Sequence, residues 1–279
     1  LRGSVWLLVL RFSDQILRFA KTVILARLLA PSDFGLFGIS LMVISVLDSF
    51  SQTGFQQALI QKKEDIKEYL NTAWIIQFLR GLLLAGLLFV LAPFAASFFE
   101  AEQASLVIKF LALSVALQGA FNVGLVYLQK ELQMRKYFIY QFSGSVLELL
   151  GTLVVALMWP SVWALVVGLL IGNFLRLIIS YFIHPHLPNF NFDLLKAKEL
   201  MNFGKWILGS NIIGFFILQG DSVFIGKFLG LSALGFYQMA AKIASFLNTE
   251  IIAGALFPAY SKVQNNFESL KKAYLKSIK

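Results

Sequence analysis

Residues 4–38 read SVWLLVLRFSDQILRFAKTVILARLLAPSDFGLFG. The stretch is apolar enough to cross a bilayer, yet Arg11, Asp14, Arg18 and Lys21 fall inside it. These positions step by three, four and three residues, so at roughly 100° per residue they share one helix face about 80° wide. A charge at the bilayer centre costs about 2.5–3.5 kcal/mol on insertion scales, which forbids four scattered charges in one span. Gathered on one stripe, they are tolerable if the stripe faces a wet cavity shared with other helices. Two plainer readings stand beside this one: an amphipathic helix lying in the interface, and long side chains snorkelling to the headgroups. Snorkelling fits poorly, because the charges sit mid-helix.

Composition limits the class. The chain of 279 residues is 58% hydrophobic and only 14% charged, with a mean hydropathy of +0.75. Soluble domains carry about 25% charged residues, and a soluble chain this apolar would lack a polar surface. An all-α, polytopic membrane protein is therefore expected. The absence of cysteine removes disulfides, thiolate metal sites and thiol nucleophiles together. The chain starts with Leu1 and has no basic segment before an uninterrupted apolar core, so no cleavable signal peptide is read. It stops in the lysine-rich LKKAYLKSIK at 270–279, and both ends read as cut.

Eight spans of about 20 residues are expected: 4–28, 36–60, 70–92, 104–128, 137–158, 162–183, 203–228 and 233–258. Pro31-Ser32-Asp33 breaks the chain after the first, and Asp33 or Ser32 can cap the second. Pro93 reads as the end of the third span, and Trp159-Pro160-Ser161 as a tight turn. The longest loop is expected from His184 to about Met201.

Positive charge alternates with these spans. One set of loops holds Lys62, Lys63 and Lys67, then Lys130, Arg135 and Lys136, then Lys196 and Lys198, then the lysines from Lys262 to Lys279. The alternate loops, around 29–35, 93–103, 159–161 and 229–232, hold none. Such alternation implies basic loops and an amino terminus in the cytoplasm. It also accounts for the net charge of +9 without nucleic acid.

The chain repeats itself. A shift of 200 residues brings Trp6 onto Trp206, Leu29 onto Leu229, Ser32 onto Ser232, Gly35 onto Gly235 and Leu47 onto Leu247, with Arg27 on Lys227 and Phe37 on Tyr237. The first two spans thus recur as the seventh and eighth. Six helices separate the copies, so both enter from the same side, as parallel repeats about an axis along the membrane normal do. The expected organisation is a six-helix lobe over 1–183, a cytoplasmic connection over 184–202, and the start of a second lobe over 203–279.

The second, third, fifth, sixth, seventh and eighth spans also carry polar residues at helical spacing, Gln238, Lys242, Ser245 and Thr249 in the eighth. Ser, Thr and Gln in such stripes can simply hold helices together. Ionisable groups need partners or water, and Asp48, Arg80, Glu148 and Arg176 join the four of the first span in the first lobe. Asp14 and Arg18 are an i,i+4 pair. Five cations against three carboxylates suit an anionic ligand, because guanidinium grips phosphate in a fork; purely structural ion pairing is the alternative. The chain has no GxxxxGK[ST] loop, HExxH or Ser-His-Asp spacing. No enzyme is expected, nor a metal at His184 and His186. Gly226, Gly230 and Gly235 read as helix ends and packing.

The run Ile24-Leu-Ala-Arg-Leu-Leu-Ala-Pro-Ser-Asp-Phe-Gly35 with Gly54-Phe55 and Ala58-Leu-Ile-Gln-Lys-Lys63 resembles the start of Wzx-type polysaccharide flippases, especially their WzxC-like branch. Asp221-Ser-Val-Phe-Ile-Gly-Lys-Phe-Leu-Gly230, Leu234-Gly-Phe-Tyr237 and Phe257-Pro-Ala259 are similar to the middle of the same proteins, and Leu128–Leu132 and Trp163-Ala-Leu165 also fit. These belong to the multidrug/oligosaccharidyl-lipid/polysaccharide exporter superfamily. The resemblance implies a bundle of that kind, with the first lobe and two helices of the second represented here. It implies a flippase of the bacterial inner membrane that moves an undecaprenyl-pyrophosphate-linked oligosaccharide by alternating access. Its partners would be the lipid-linked oligosaccharide, the bilayer, and the polysaccharide polymerase and export machinery. The family has no fixed cavity motif, so site residues rest on periodicity. Arg11, Arg18, Lys21, Arg80 and Arg176 are candidate head-group contacts. Asp14, Asp48 and Glu148 are candidates for coupling to Na+ or H+, or for holding those arginines. No cofactor is expected. A drug or toxin exporter of the same superfamily and a membrane glycosyltransferase or polymerase are the competing functions; a basic cavity and short outer loops count against both.

Overall fold

The computed structural model describes residues 2–52, 54–62, 65–184 and 186–247, with side chains described in these ranges except at 2–8, 10–11, 202–207 and 245–247. All regular structure among the described residues is helical. In chain order the helices are α1 (Arg2–Leu25), α2 (Pro31–Ser51), α3 (Phe55–Gln61), α4 (Leu70–Phe98), α5 (Glu102–Gly119), α6 (Val126–Lys130), α7 (Met134–Met158), α8 (Val162–Ile183), α9 (Leu194–Phe228) and α10 (Gly230–Leu247). Five are long and apolar enough to cross a membrane, and the bent pair made by residues 102–119 and 123–130 makes a sixth. Long apolar side chains on the outside, among them Leu83, Val90, Phe94, Leu157 and Phe182, stand more than half exposed, as lipid-facing positions do. The protein is a polytopic helical membrane protein.

Four expected boundaries move. The second span does not run unbroken over 36–60: α2 ends at Ser51, Gln52 is extended, and Gly54 at φ +60° opens the separate α3. Glycine takes that left-handed conformation without the Cβ clash that penalises other residues. The fourth span breaks likewise, with a bend of 66° after Gly119. There Asn122 turns from helix to local bonding: its Oδ1 accepts the Gly124 N–H at 2.8 Å, and its Nδ2 donates to the carbonyls of His184 at 2.7 Å and His186 at 3.1 Å. Pro93 does not end the third span, since α4 continues to Phe98. Ala92 and Ala96 stay buried in the core with Ala104, Val107 and Ile108 of α5, and that packing carries the helix past the proline.

The fourth correction is at α9, which starts well before Met201. Asp193 caps it by accepting the N–H groups of Leu195 at 2.9 Å and Lys196 at 3.2 Å. Its first turns are tied to the segment between α3 and α4 by Lys62–Glu199 at 2.7 Å and Lys196–Glu68 at 3.0 Å. α10 covers residues 233–247 of the expected eighth span; the rest of that span and its basic tail lie outside the described residues.

Asp33 works at the opposite end. The N-cap of α2 is Ala30, and Asp33, three residues into the helix, reaches back to its N–H at 3.1 Å. The other carboxylate oxygen accepts the Val162 N–H at 3.0 Å, so one side chain secures the starts of α2 and α8. Here α2 crosses α10 at backbone contact: a Cβ on Gly35 would lie 1.9 Å from the Leu231 carbonyl oxygen, and one on Gly235 1.8 Å from that of Pro31. Gly230, at φ +83°, makes the sharp turn from α9 into α10.

Candidate functional site

At Asp14 and Lys21 the charged stripe of α1 faces protein, with side chains 24% and 18% exposed, whereas the Arg18 side chain is 70% exposed. Thr22 beside it is 6% exposed, and Lys21 Nζ donates to Glu148 Oε1 of α7 at 2.8 Å. On α8, Arg176 approaches the other oxygen of Glu148 at 3.4 Å and donates to Asn173 Oδ1 and Ser145 Oγ, each at 3.2 Å. One carboxylate therefore serves two cations, and a buried ion pair of this kind needs such extra hydrogen bonds. The side chains of Lys21, Arg176 and Glu148 are 18%, 15% and 19% exposed. The expected pair of Asp14 with Arg18 is present at 3.4 Å.

Glycine brings α7 and α8 close enough for this. A Cβ at Gly144 would meet Arg176 Nε at 2.3 Å, and one at Gly172 would meet Glu148 Cβ at 2.7 Å. Small residues at these positions let the two helices approach and leave the guanidinium room to lie across the seam.

These groups wall two adjoining cavities. The larger, about 1070 Å³, lies between α1, α2, α7, α8 and α10; Arg18, Lys21, Glu148 and Lys242 supply its charge, and Leu25, Phe34, Phe37, Leu165 and Leu169 an apolar wall. The smaller, about 260 Å³, is walled by Asp14, Arg18, Lys21, Ser145, Glu148 and Arg176. Together they hold four cations, Arg18, Lys21, Arg176 and Lys242, against two carboxylates, Asp14 and Glu148. The surplus is positive. A cationic lining with an apolar flank can take an amphiphilic anion, with charge-assisted hydrogen bonds supplying most of the grip.

Not all the sequence candidates come together. Arg80 lies elsewhere, holding Asp48 and donating Nε to the Ser51 carbonyl at 3.0 Å. This pair lines a third cavity of about 370 Å³ whose wall also includes Arg176. The Arg11 side chain lies outside the described residues. Lys242, by contrast, enters the cationic wall from α10 although only the stripe of its own span pointed to it. The 200-residue shift sets it opposite Met42, so the repeat gave no second signal.

The chain is 26% identical over 279 residues to the succinoglycan biosynthesis transport protein ExoT of Rhizobium meliloti, covering 99% of this chain and 56% of ExoT. It is 26% identical over 282 residues to the lipopolysaccharide biosynthesis protein WzxC of Escherichia coli K12, covering 99% of this chain and 57% of WzxC. The teichuronic acid biosynthesis protein TuaB of Bacillus subtilis is 25% identical over 231 residues, 81% of this chain and 48% of TuaB. The chain thus spans about half the length of the curated relatives it matches. No solved structure matches it. The family model described as "Polysaccharide biosynthesis protein" matches residues 24–279, and the chain belongs to that family.

Proposed function

We propose that this chain forms the substrate-holding part of a flippase for undecaprenyl-pyrophosphate-linked oligosaccharide in the bacterial inner membrane. The observation that carries the reading is the cationic wall: Arg18, Lys21, Arg176 and Lys242 converge from three helices on adjoining cavities, with Asp14 and Glu148 the only carboxylates that line them among the described residues. A pyrophosphate has the charge and the acceptor oxygens to use that surplus. The apolar flank formed by Leu25, Phe34, Phe37 and Leu165 suits the start of a prenyl chain. A transport role accords with the similarity to ExoT, a succinoglycan biosynthesis transport protein. The protein is a transporter and not an enzyme in this reading.

The amino terminus and the lysine-rich loops face the cytoplasm, by the positive-inside rule. The crossing of α2 with α10 at Gly35 and Gly235 then closes the cavity towards the outside, and alternating access would open it there. Glu148, shared between Lys21 and Arg176, is the best candidate for coupling to Na+ or H+, since neutralising it would release both cations to the substrate. Asp14 and Asp48, each held by an arginine, are second candidates.

The test is complementation in cells deleted for the gene. Wild type restores surface polysaccharide. Lys21→Ala/Lys242→Ala, present in the membrane at normal level, leaves it at least about ten-fold lower, with lipid-linked glycan held in the inner leaflet, and Lys21→Arg/Lys242→Arg restores part of it. Full complementation by the alanine variant would make the cations structural. Drug efflux restored by wild type without any change in glycan would replace the flippase with an exporter.

A further inference from the structure

The third cavity takes no part in the cationic site except through Arg176. It lies at the lysine-rich end of the first six-helix unit, and both helix breaks open onto it: Gln52 and Gly54 line it from the first, and Gly119, Phe121 and Asn122 from the second. Non-helical backbone in a membrane protein persists where it is buried in protein or lines a wet cavity. Interrupted spans in transporters gather at ligand sites for that reason. Two interruptions framing one cavity are therefore more than a packing accident.

The lining chemistry differs from that of the cationic wall. Charge is already balanced, since Arg80 holds Asp48. What dominates is amide and phenol. Some of these groups are helix glue: Gln77 Nε2 donates to the carbonyls of Gln118, Gly119 and Phe121 at 3.1–3.2 Å, and Gln52 bridges Asp48 and Asn211. Others have no such use. The side-chain amides of Gln56 and Gln57, which are exposed, and of the half-buried Gln129 make no hydrogen bond among the described residues, and all three line the cavity. Tyr140 is only 4% exposed and lines the same space, and its hydroxyl also has no hydrogen-bond partner among the described residues. At the wall shared with the cationic site, Arg176 Nε is a buried donor without a partner. Left unsatisfied, that one buried donor costs about 1–3 kcal/mol unless something arrives to pair with it.

A ligand that pairs with amides, a phenol and a half-exposed carboxylate at once must both donate and accept, repeatedly, without net charge. Sugar hydroxyls do this, and two neighbouring ones can share a carboxylate such as Asp48, which is 43% exposed at its side chain. The volume, about 370 Å³, lies within the roughly 300–1,000 Å³ of small-ligand sites. We infer that this cavity, framed by the two helix breaks and walled by Gln56, Gln129, Tyr140 and Asp48, is a second subsite that binds the sugars of the lipid-linked glycan. Arg176 stands at its junction with the pyrophosphate subsite. The inference rests on the flippase reading above and adds to it the part of the protein that senses the glycan.

The experiment compares two lipids on the purified full-length protein in lipid nanodiscs: undecaprenyl pyrophosphate, and the undecaprenyl-pyrophosphate-linked glycan extracted from cells deleted for this gene. Tyr140→Phe removes one hydroxyl without changing shape, and Gln56→Ala/Gln129→Ala removes two amides that make no hydrogen bond among the described residues. The expected result is an affinity for the glycan lipid at least ten-fold weaker in the combined variant, with binding of the bare pyrophosphate lipid unchanged. Unchanged affinity for the glycan lipid would overturn the subsite. An equal loss for both lipids would also overturn it, by making these side chains structural. A wild type that binds neither lipid would mark failure of the flippase reading itself, and the subsite would fall with it.

Discussion

Gly35 and Gly235 make reciprocal contacts: each presses on the backbone of the residue four positions before the other, Gly35 on Leu231 and Gly235 on Pro31. Because residue 231 corresponds to residue 31 under the 200-residue shift, this is the self-complementary contact that a two-fold axis generates between identical surfaces. Alanine at either glycine puts a methyl group under 2 Å from a carbonyl oxygen, and backbone on both sides leaves no flexible side chain to yield. Gly35→Ala and Gly235→Ala should each lower stability by about 1–3 kcal/mol or more. Gly214→Ala, where nothing lies within 4 Å, should be neutral. Thermal unfolding of the three purified variants checks this, and a shift for Gly214→Ala equal to the others would contradict it.

Glu148 should behave differently from its partners. Glu148→Gln leaves Lys21 and Arg176 without their shared anion, each with a side chain less than a fifth exposed. A loss of about 1–3 kcal/mol is expected, together with failure of transport. Lys21→Gln removes one cation but keeps the Arg176 pair, so its stability loss should be under half as large. Melting curves of the two variants in the same lipid separate the cases; equal losses would mean that the pairs are not shared.

The connection after α8 carries a pH signature. His184 lies parallel to the Tyr127 ring at 5.3 Å, and its Nδ1 accepts the His186 N–H at 3.3 Å, which requires an unprotonated nitrogen. Burial holds both imidazoles below their usual value. A depressed histidine contributes stability in full above the unfolded pKa, about 6.5, and loses it as pH falls towards the folded value. Stability should therefore decline as pH is lowered from 7 towards 5.5, and His184→Gln/His186→Gln should flatten that limb. An unchanged slope in the double variant would assign the decline to other groups.

How much of this was readable in advance depended on the range of the interactions. The stripe of Asp14, Arg18 and Lys21 was legible because one helix period sets it, and the repeat was legible because it leaves identical residues at one spacing. The breaks beside Gly54 and at Ala120–Asn122 were not: apolar periodicity runs straight through both, and what holds the second is Asn122 bonding to the distant carbonyls of His184 and His186. Pro93 misled in the opposite sense, since α5 packing outweighs its local preference. Arg80 looked equivalent to Arg176 by composition. Only the fold shows that α2 holds the one while the other lies across the α7–α8 seam beside the cationic cavity.

Direct binding tests the central claim, that the cations of α1, α8 and α10 hold a pyrophosphate. Undecaprenyl pyrophosphate should bind the purified wild-type protein in nanodiscs with an affinity that falls as salt rises. Lys21→Gln/Lys242→Gln should weaken it by at least about ten-fold, equivalent to about 1.4 kcal/mol, and should reduce the salt dependence. Wild-type affinity in that variant, at every salt concentration, would contradict the account.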